Sequence, residues 1–175
     1  MLDFKMLTYN EINKDAWNRL VDHSSVATWF QTPEAYNFYE SVHNEMTPFA
    51  YGVERRGELC AVCVGYITKE KNIIKQFFTR RAIIIGGLVI ADNAEEQDVE
   101  QLLRAMIVEL TSQAIYIETR NFNDYSKWKN VFKECGFSYQ PHLNVQVTCD
   151  AAHAMSEQRR RQVKKAISNA ATICE

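Results

Sequence analysis

The chain has 175 residues, of which 46% are hydrophobic and 24% charged, with a formal net charge of −2. That size fits one ordinary domain, and the composition is that of a globular protein with a buried core, which excludes a disordered or low-complexity chain. The charge is uneven: of 20 basic and 22 acidic residues, Ser156–Lys165 holds five basic and one acidic, leaving a net acidic body with a basic block near its end.

The first elements read as a short strand from Phe4 to Tyr9, then a helix from Asn13 to His23 with Ala16, Trp17, Leu20 and Val21 at helical spacing. Thr32-Pro33 gives a second helix its cap and first position, and that helix is expected to reach His43. The aromatic group Trp29, Phe30, Tyr36, Phe38 and Tyr39 reads as core rather than as a substrate platform.

A run of strands follows. Phe49, Tyr51 and Val53 alternate, Arg56-Gly57 marks a hairpin turn, and Leu59–Ile67 is apolar on both faces. Lys69–Asn72 reads as a turn, Ile73–Phe78 as a strand, and Ala82–Ile90 as one doubly covered strand. Glycines at 86 and 87 within it point to a bulge or to a ligand at close approach. Arg80-Arg81 just before it is either a fork for a phosphate or a solvated turn.

Asp92 or Asn93 is expected to cap a long helix whose stripe is Val99, Leu102, Leu103, Met106, Ile107 and Leu110. A strand at Ile115–Glu118 comes next. Glu118 and Arg120, two apart at its end, form either a binding pair or a structural salt bridge. A helix from Asp124 to Cys135 ends at Gly136, Tyr139–Thr148 is a final strand, and Met155–Ala171 is a last helix. On a helical wheel that last helix sets Arg160, Arg161, Lys164 and Lys165 opposite Val163, Ala166, Ile167, Ala170 and Cys174. Its basic face is either solvated or a contact for tRNA phosphates, a lipid-linked pyrophosphate or an anionic membrane.

The five cysteines have no framework spacing. Cys60 and Cys63 form a CxxC on a strand, where side chains three apart are expected on opposite faces, so they read as buried thiols. The four histidines have no metal-ligand spacing. The longest apolar run, Ala82–Ala91, is about half of a membrane span, and no secretory signal opens the chain, which therefore reads as cytoplasmic.

This order of elements resembles the GNAT acyltransferase fold, an α/β (α+β) class with a mixed central sheet and helices on both faces. Three stretches resemble the FemAB-like aminoacyltransferases, whose members carry two such domains in tandem. They are Thr28–Tyr39 (TWFQTPEAYNFY), Ile74–Gly87 (IKQFFTRRAIIIGG), and Ile117–Asn121 followed by Cys135-Gly-Phe137, Leu143–Val147 and the basic Arg159–Lys165. The resemblance implies a GNAT-like domain over residues 1–150, a basic amphipathic helix over 151–175 leading toward a second GNAT-like domain that these residues do not contain, and transfer of an acyl or aminoacyl group to an amine such as a cell-wall precursor. It makes aminoacyl-tRNA the candidate donor. Acyl-CoA is disfavoured: the Q/R-x-x-G-x-G/A loop that holds its pyrophosphate is missing, and Asp92, Glu95, Glu96 and Asp98 stand in its place. The candidate substrate contacts are Arg80, Arg81, Glu118, Arg120, Arg160, Arg161, Lys164 and Lys165; no metal ligand or catalytic residue is assigned. The other reading is a non-catalytic binding module that uses the basic helix.

Overall fold

The structure is a computed structural model, described over residues 4–69, 79–142 and 156–168, with side chains described to residue 165. It divides into a unit spanning Met1–Gln140 and a second spanning Pro141–Glu175.

In the first unit, strand β1 (Phe4–Thr8) leads into helix α1 (Lys14–His23) and helix α2 (Pro33–Ser41). Asn13 Oδ1 caps α1 by accepting from the Ala16 amide at 3.0 Å, and Thr32 Oγ1 accepts from Ala35 at 3.3 Å, ahead of Pro33. A 3-10 turn at Trp29–Gln31, not foreseen in the sequence, joins the two helices.

Strands β2 (Met46–Arg55) and β3 (Glu58–Thr68) form a long hairpin. Its turn residues, Arg56 and Gly57, have φ values of 57° and 81°. Two positive values in succession match the twist of a tight hairpin. Strand β4 (Arg81–Gly86) and the short β5 (Val89–Ile90) both lie antiparallel to β3. Helix α3 (Glu96–Thr111) crosses back, and strand β6 (Tyr116–Asn121) runs parallel to β4. The sheet order is β1-β2-β3-β4-β6, with β5 on β3. A 3-10 turn at Ser126–Trp128 leads into helix α4 (Lys129–Glu134), which closes at Gly136 with φ 90°.

One core lies under α3 and α4, where Val99, Leu102, Leu103, Met106 and Leu110 of α3 meet Val53, Ala61, Cys63, Ala82 and Ile84 of the sheet. The other lies under α1 and α2, around Trp17, Ala35, Tyr39, Val62 and Val64. Each fully buried leucine here contributes roughly 1.5–3 kcal/mol of transfer free energy. Burial on both sides of β3 explains its unbroken apolar run.

Several expectations change. The expected single strand Ala82–Ile90 breaks at Gly86-Gly87 into β4 and β5. The central helix begins at Glu96 with Glu95 as its cap residue, three or two positions later than Asp92 or Asn93. The two cysteines of the CxxC do not lie on opposite faces as expected. The β2–β3 register pairs Val53 with Ala61 but Glu54 with Leu59, so Cys60 is the extra residue of a bulge. The bulge resets the alternation and turns Cys60 and Cys63 into the same core. They remain buried thiols, Cys63 donating to Met106 Sδ at 3.5 Å. Among the described residues no group of three potential ligands is placed to hold a metal. Tyr139–His142 is not a strand; the rest of the expected Tyr139–Thr148 strand, and all of Ile73–Phe78, lie outside the described residues.

In the second unit, helix α5 (Glu157–Ser168) carries the basic block, and residues 156–165 are all exposed. No described helix is long and apolar enough to cross a membrane.

Candidate functional site

The sheet is irregular at Gly86-Gly87. β4 follows β6 as far as the Gly86–Asn121 pair, and the chain then re-pairs with β3 through Val89 and Ile90. Both glycines have positive φ, 85° and 86°. A Cβ on Gly86 would lie 2.6 Å from Gln31 Nε2, and one on Gly87 2.6 Å from both Asn121 Oδ1 and the Tyr125 hydroxyl. Glycine is therefore required twice over, by conformation and by space.

The groups crowding these glycines hold the irregular backbone. Gln31, 2% exposed, donates from Nε2 to the Gly86 carbonyl at 2.8 Å. Its Oε1 accepts from the Thr28 amide and hydroxyl, each at 2.7 Å, and its own carbonyl accepts from Trp17 Nε1 at 2.8 Å. From the α3 side, the Tyr125 hydroxyl donates to the Leu88 carbonyl. Burial pushes the Tyr125 phenol up. The Gly86 and Leu88 carbonyls are thus satisfied by this chain's own side chains. The glycine pair was legible in the sequence; Gln31 and Tyr125 were not, because their partners lie 55 and 37 residues away.

The second feature is the first turn of α3. Asp98 is fully buried, with Oδ1 2.9 Å from Arg55 Nε and Oδ2 accepting from the Glu95 amide at 2.8 Å. Arg55 Nη1 also meets Glu95 Oε1 at 3.0 Å, and its Nη2 donates to the Asn93 carbonyl at 3.2 Å. The hydrogen bond to Asp98 raises the Arg55 pKa above its ordinary value, and the charges of Asp98 and Glu95 add to this. Asp98 is therefore not the uncompensated charge that the sequence implied. It is a structural acid with a dedicated counter-ion, Arg55 at the end of β2, which lies 43 residues away and could not be read from local spacing. A helix N-terminus attracts anions; here its own carboxylates occupy that position.

The structure places Arg81, Glu118 and Arg120 together and sets Arg80 apart. In the β4–β6 register Arg81 pairs with Tyr116, Ile83 with Glu118, and Ile85 with Arg120, a row on the α1–α2 side of the sheet. Arg120 Nε lies 2.7 Å from Glu118 Oε1, and Arg81 Nη1 donates to the Tyr116 hydroxyl at 3.5 Å. Those bonds are the first cause of the raised pKa of each arginine. Glu118 and Arg120 share a face, as their spacing implied, but from within β6 rather than at its end.

This face is open. Helices α1 and α2 pack over β2 and β3, and Tyr116 and the Arg120 side chain are 46% and 49% exposed. Its rim is aromatic: Trp29 contacts Phe30 and Phe38 with ring centroids 5.6 Å apart in each case, and Phe30 meets Phe122 at 6.0 Å. Trp29 and Phe38, expected in the core, are 47% and 48% exposed, while Tyr39 behind them is buried. The result is a shallow surface with cations, a carboxylate and aromatic faces, able to contact a polar substrate bearing an amine or a carboxylate. Arg80, just before β4, instead lines a hollow with Thr47, Ile67 and Gln113. Arg160, Arg161, Lys164 and Lys165 belong to α5 in the second unit, where Arg161 Nη2 pairs with Glu157 at 2.6 Å.

The fold is that of the GNAT acetyltransferases. The chain is similar to glucosamine-6-phosphate N-acetyltransferase from Arabidopsis thaliana with a TM-score of 0.54 at 12% identity, covering 85% of this chain and 99% of that one. It is similar to an aminoglycoside acetyltransferase from an uncultured soil metagenomic sample with a TM-score of 0.56 at 11% identity, covering 85% and 97%. It is also similar to FemX, with a TM-score of 0.61 at 14% identity, covering 77% of this chain but 32% of FemX. No protein-family model and no curated sequence matches the chain.

Proposed function

We propose that this chain is a GNAT-fold lobe of a FemAB-like acyl or aminoacyl transferase, whose reaction centre is shared with a second lobe. The observation that carries the reading is the similarity to FemX, which occupies most of this chain and about a third of FemX, added to the three motif stretches in the sequence. The first turn of α3 supports a donor other than CoA at that helix end, since its own carboxylates already cap the amides that a pyrophosphate would need and Glu96 adds a further negative charge.

In such a transfer an acceptor amine attacks the donor carbonyl. The C–N bond forms, the bond from the carbonyl to the carrier oxygen breaks, and the proton lost by the amine ends on that departing oxygen. Positioning and carbonyl polarisation do most of this work, so the chain needs no nucleophile. Arg81, Glu118 and Arg120 are the substrate contacts on this reading, with Glu118 able to hold an ammonium and the arginines a carboxylate or phosphate.

The test is donor choice: aminoacyl-tRNA and acetyl-CoA are each titrated into the chain, and transfer to amine acceptors is followed by mass spectrometry. Retention of the aminoacyl-tRNA without CoA binding is expected. Micromolar CoA binding with acetyl transfer by this chain alone overturns the reading, as does failure to bind either donor.

The exposed cations of α5 favour a second reading, a non-catalytic module that holds nucleic acid or an anionic lipid. Charge reversal of Arg160, Arg161, Lys164 and Lys165 then abolishes binding to tRNA or to phosphatidylglycerol vesicles at low salt. Unchanged binding by that variant removes this reading.

A further inference from the structure

The arginine just before β4, away from the open face, has its own surroundings. Arg80, with Thr47, Ile67, Thr68, Lys69 and Gln113, lines a hollow of about 130 Å³. The hollow lies on the α3 side of the sheet near the C-terminal end of that helix, where the Ile115 amide donates to the Arg80 carbonyl. At 1.5 Å per residue, the 16 residues of α3 set it roughly 24 Å from the acid-filled first turn. It is a separate place in the molecule.

Most of its polar atoms are already engaged. Lys69 Nζ donates one bond, to the His43 carbonyl at 2.7 Å, and keeps its other protons. Thr68 Oγ1 accepts from the Arg81 amide at 3.0 Å, and Gln113 Nε2 donates to the Glu109 carbonyl at 3.3 Å. Arg80 holds the unmet buried donor: its Nε has no hydrogen-bond partner among the described residues. An unmet donor on a charged group is costly in a folded protein and calls for an acceptor. The hollow has space for one, being several times what a single water requires. A water would satisfy Nε but leave two cations lining one hollow with no carboxylate among its described lining residues. An oxyanion answers both needs, because guanidinium and ammonium make short, charge-assisted bonds to phosphoryl oxygens.

We propose that the hollow formed by Arg80, Lys69 and Thr47 binds the phosphoryl group of a small molecule. The guanidinium supplies Nε–H, Lys69 its free ammonium protons, and the Thr47 hydroxyl a neutral donor. The ligand sits on the opposite side of the sheet from Arg81, Glu118 and Arg120, so the proposal is independent of the transferase reading.

The test is thermal unfolding of the full chain in inorganic phosphate and in glycerol phosphate, against sodium chloride at matched ionic strength. At ten times its dissociation constant, a bound ligand raises Tm by roughly 3–6 °C for a chain of this size. Arg80→Gln and Lys69→Gln should each remove that rise, while Arg104→Gln on the exposed side of α3 should keep it. Calorimetric titration of Lys69→Gln covers the case in which Arg80→Gln is too unstable to read. A rise with both ligands indicates a phosphate ester, and a rise with inorganic phosphate alone indicates the free ion as ligand. No rise up to 20-fold the phosphate of a typical buffer (about 200 mM), or an undiminished rise in both glutamine variants, overturns the proposal.

Discussion

Replacing Gln31 tests whether the bend at Gly86-Gly87 is held from the helical side. Gln31→Leu keeps most of the buried volume and removes three hydrogen bonds, one to the Gly86 carbonyl and two from Thr28. The Gly86 carbonyl stays buried, so it carries the full cost of an unmet group, about 1–3 kcal/mol. The Thr28 amide and hydroxyl are only part-buried, so water repairs part of their loss. The total is roughly 2–4 kcal/mol, which lowers Tm by roughly 5–15 °C. Gln31→Glu separates hydrogen bonding from volume. A glutamate there still accepts from Thr28, but once ionised it sets a carboxylate against the Gly86 carbonyl. Its folded pKa is therefore raised above the ordinary value of about 4.3. A raised acid stabilises the fold only while protonated, so the deficit against wild type is small near pH 4 and grows as pH rises from there toward neutrality. Both variants are followed by circular dichroism melts between pH 4 and pH 8. The reasoning fails if Gln31→Leu melts within about 2 °C of wild type and the Gln31→Glu deficit is flat across that range.

The glycines give a paired prediction. Gly57→Ala introduces a Cβ with nothing within 4 Å, so only the strain of φ 81° remains, about 1–2 kcal/mol; Gly87→Ala adds overlap with Asn121 and Tyr125 and costs roughly 2–4 kcal/mol, both readable by urea unfolding. Asp98→Ala should lower Tm more than Glu95→Ala, because the Asp98 side chain is fully buried and that of Glu95 is 59% exposed; equal effects would show that the Arg55 pair is not held by burial. Burial pushes the Cys63 thiol up and the Tyr39 and Tyr51 phenols up to about 12. Raised pKa values favour the fold while these groups are protonated. Stability is then full below about pH 8.5, falls as Cys63 begins to ionise in the unfolded chain, and falls faster above about pH 10. Tyr39→Phe should flatten the steeper part in urea titrations. Ellman's reagent at pH 8 should leave Cys63 unmodified until the chain unfolds.

What the sequence conveyed well was local. Asn13, Thr32-Pro33 and Gly136 act on their own helix ends, and the α3 stripe from Val99 to Leu110 repeats within one element, so each could be read from neighbours. Misreadings came where a distant contact overrode a local rule. Asp92 and Asn93 are good caps by type, yet the helix starts later, where Asp98 finds both Arg55 and the Glu95 amide. Alternation placed Cys60 and Cys63 on opposite faces, and one bulged residue reversed that. Trp29 and Phe38 belong to an aromatic-rich stretch, but helical packing spends its apolar face on Ala35 and Tyr39 and leaves these two at the rim. Of the candidate contacts, Glu118–Arg120 was legible because strand spacing fixes it, whereas the separation of Arg80 from Arg81 required knowing which side of β4 each helix covers.

The hydrogen-bond path from Trp17 through Gln31 to Gly86 has a consequence for how the molecule opens. It links α1, the 3-10 turn and the middle of the sheet, on top of the core that Trp17 shares with Val62 and Val64. Slow amide exchange should therefore group these three segments together despite their separation along the chain, so that the helical pair comes loose only when the kinked strand does.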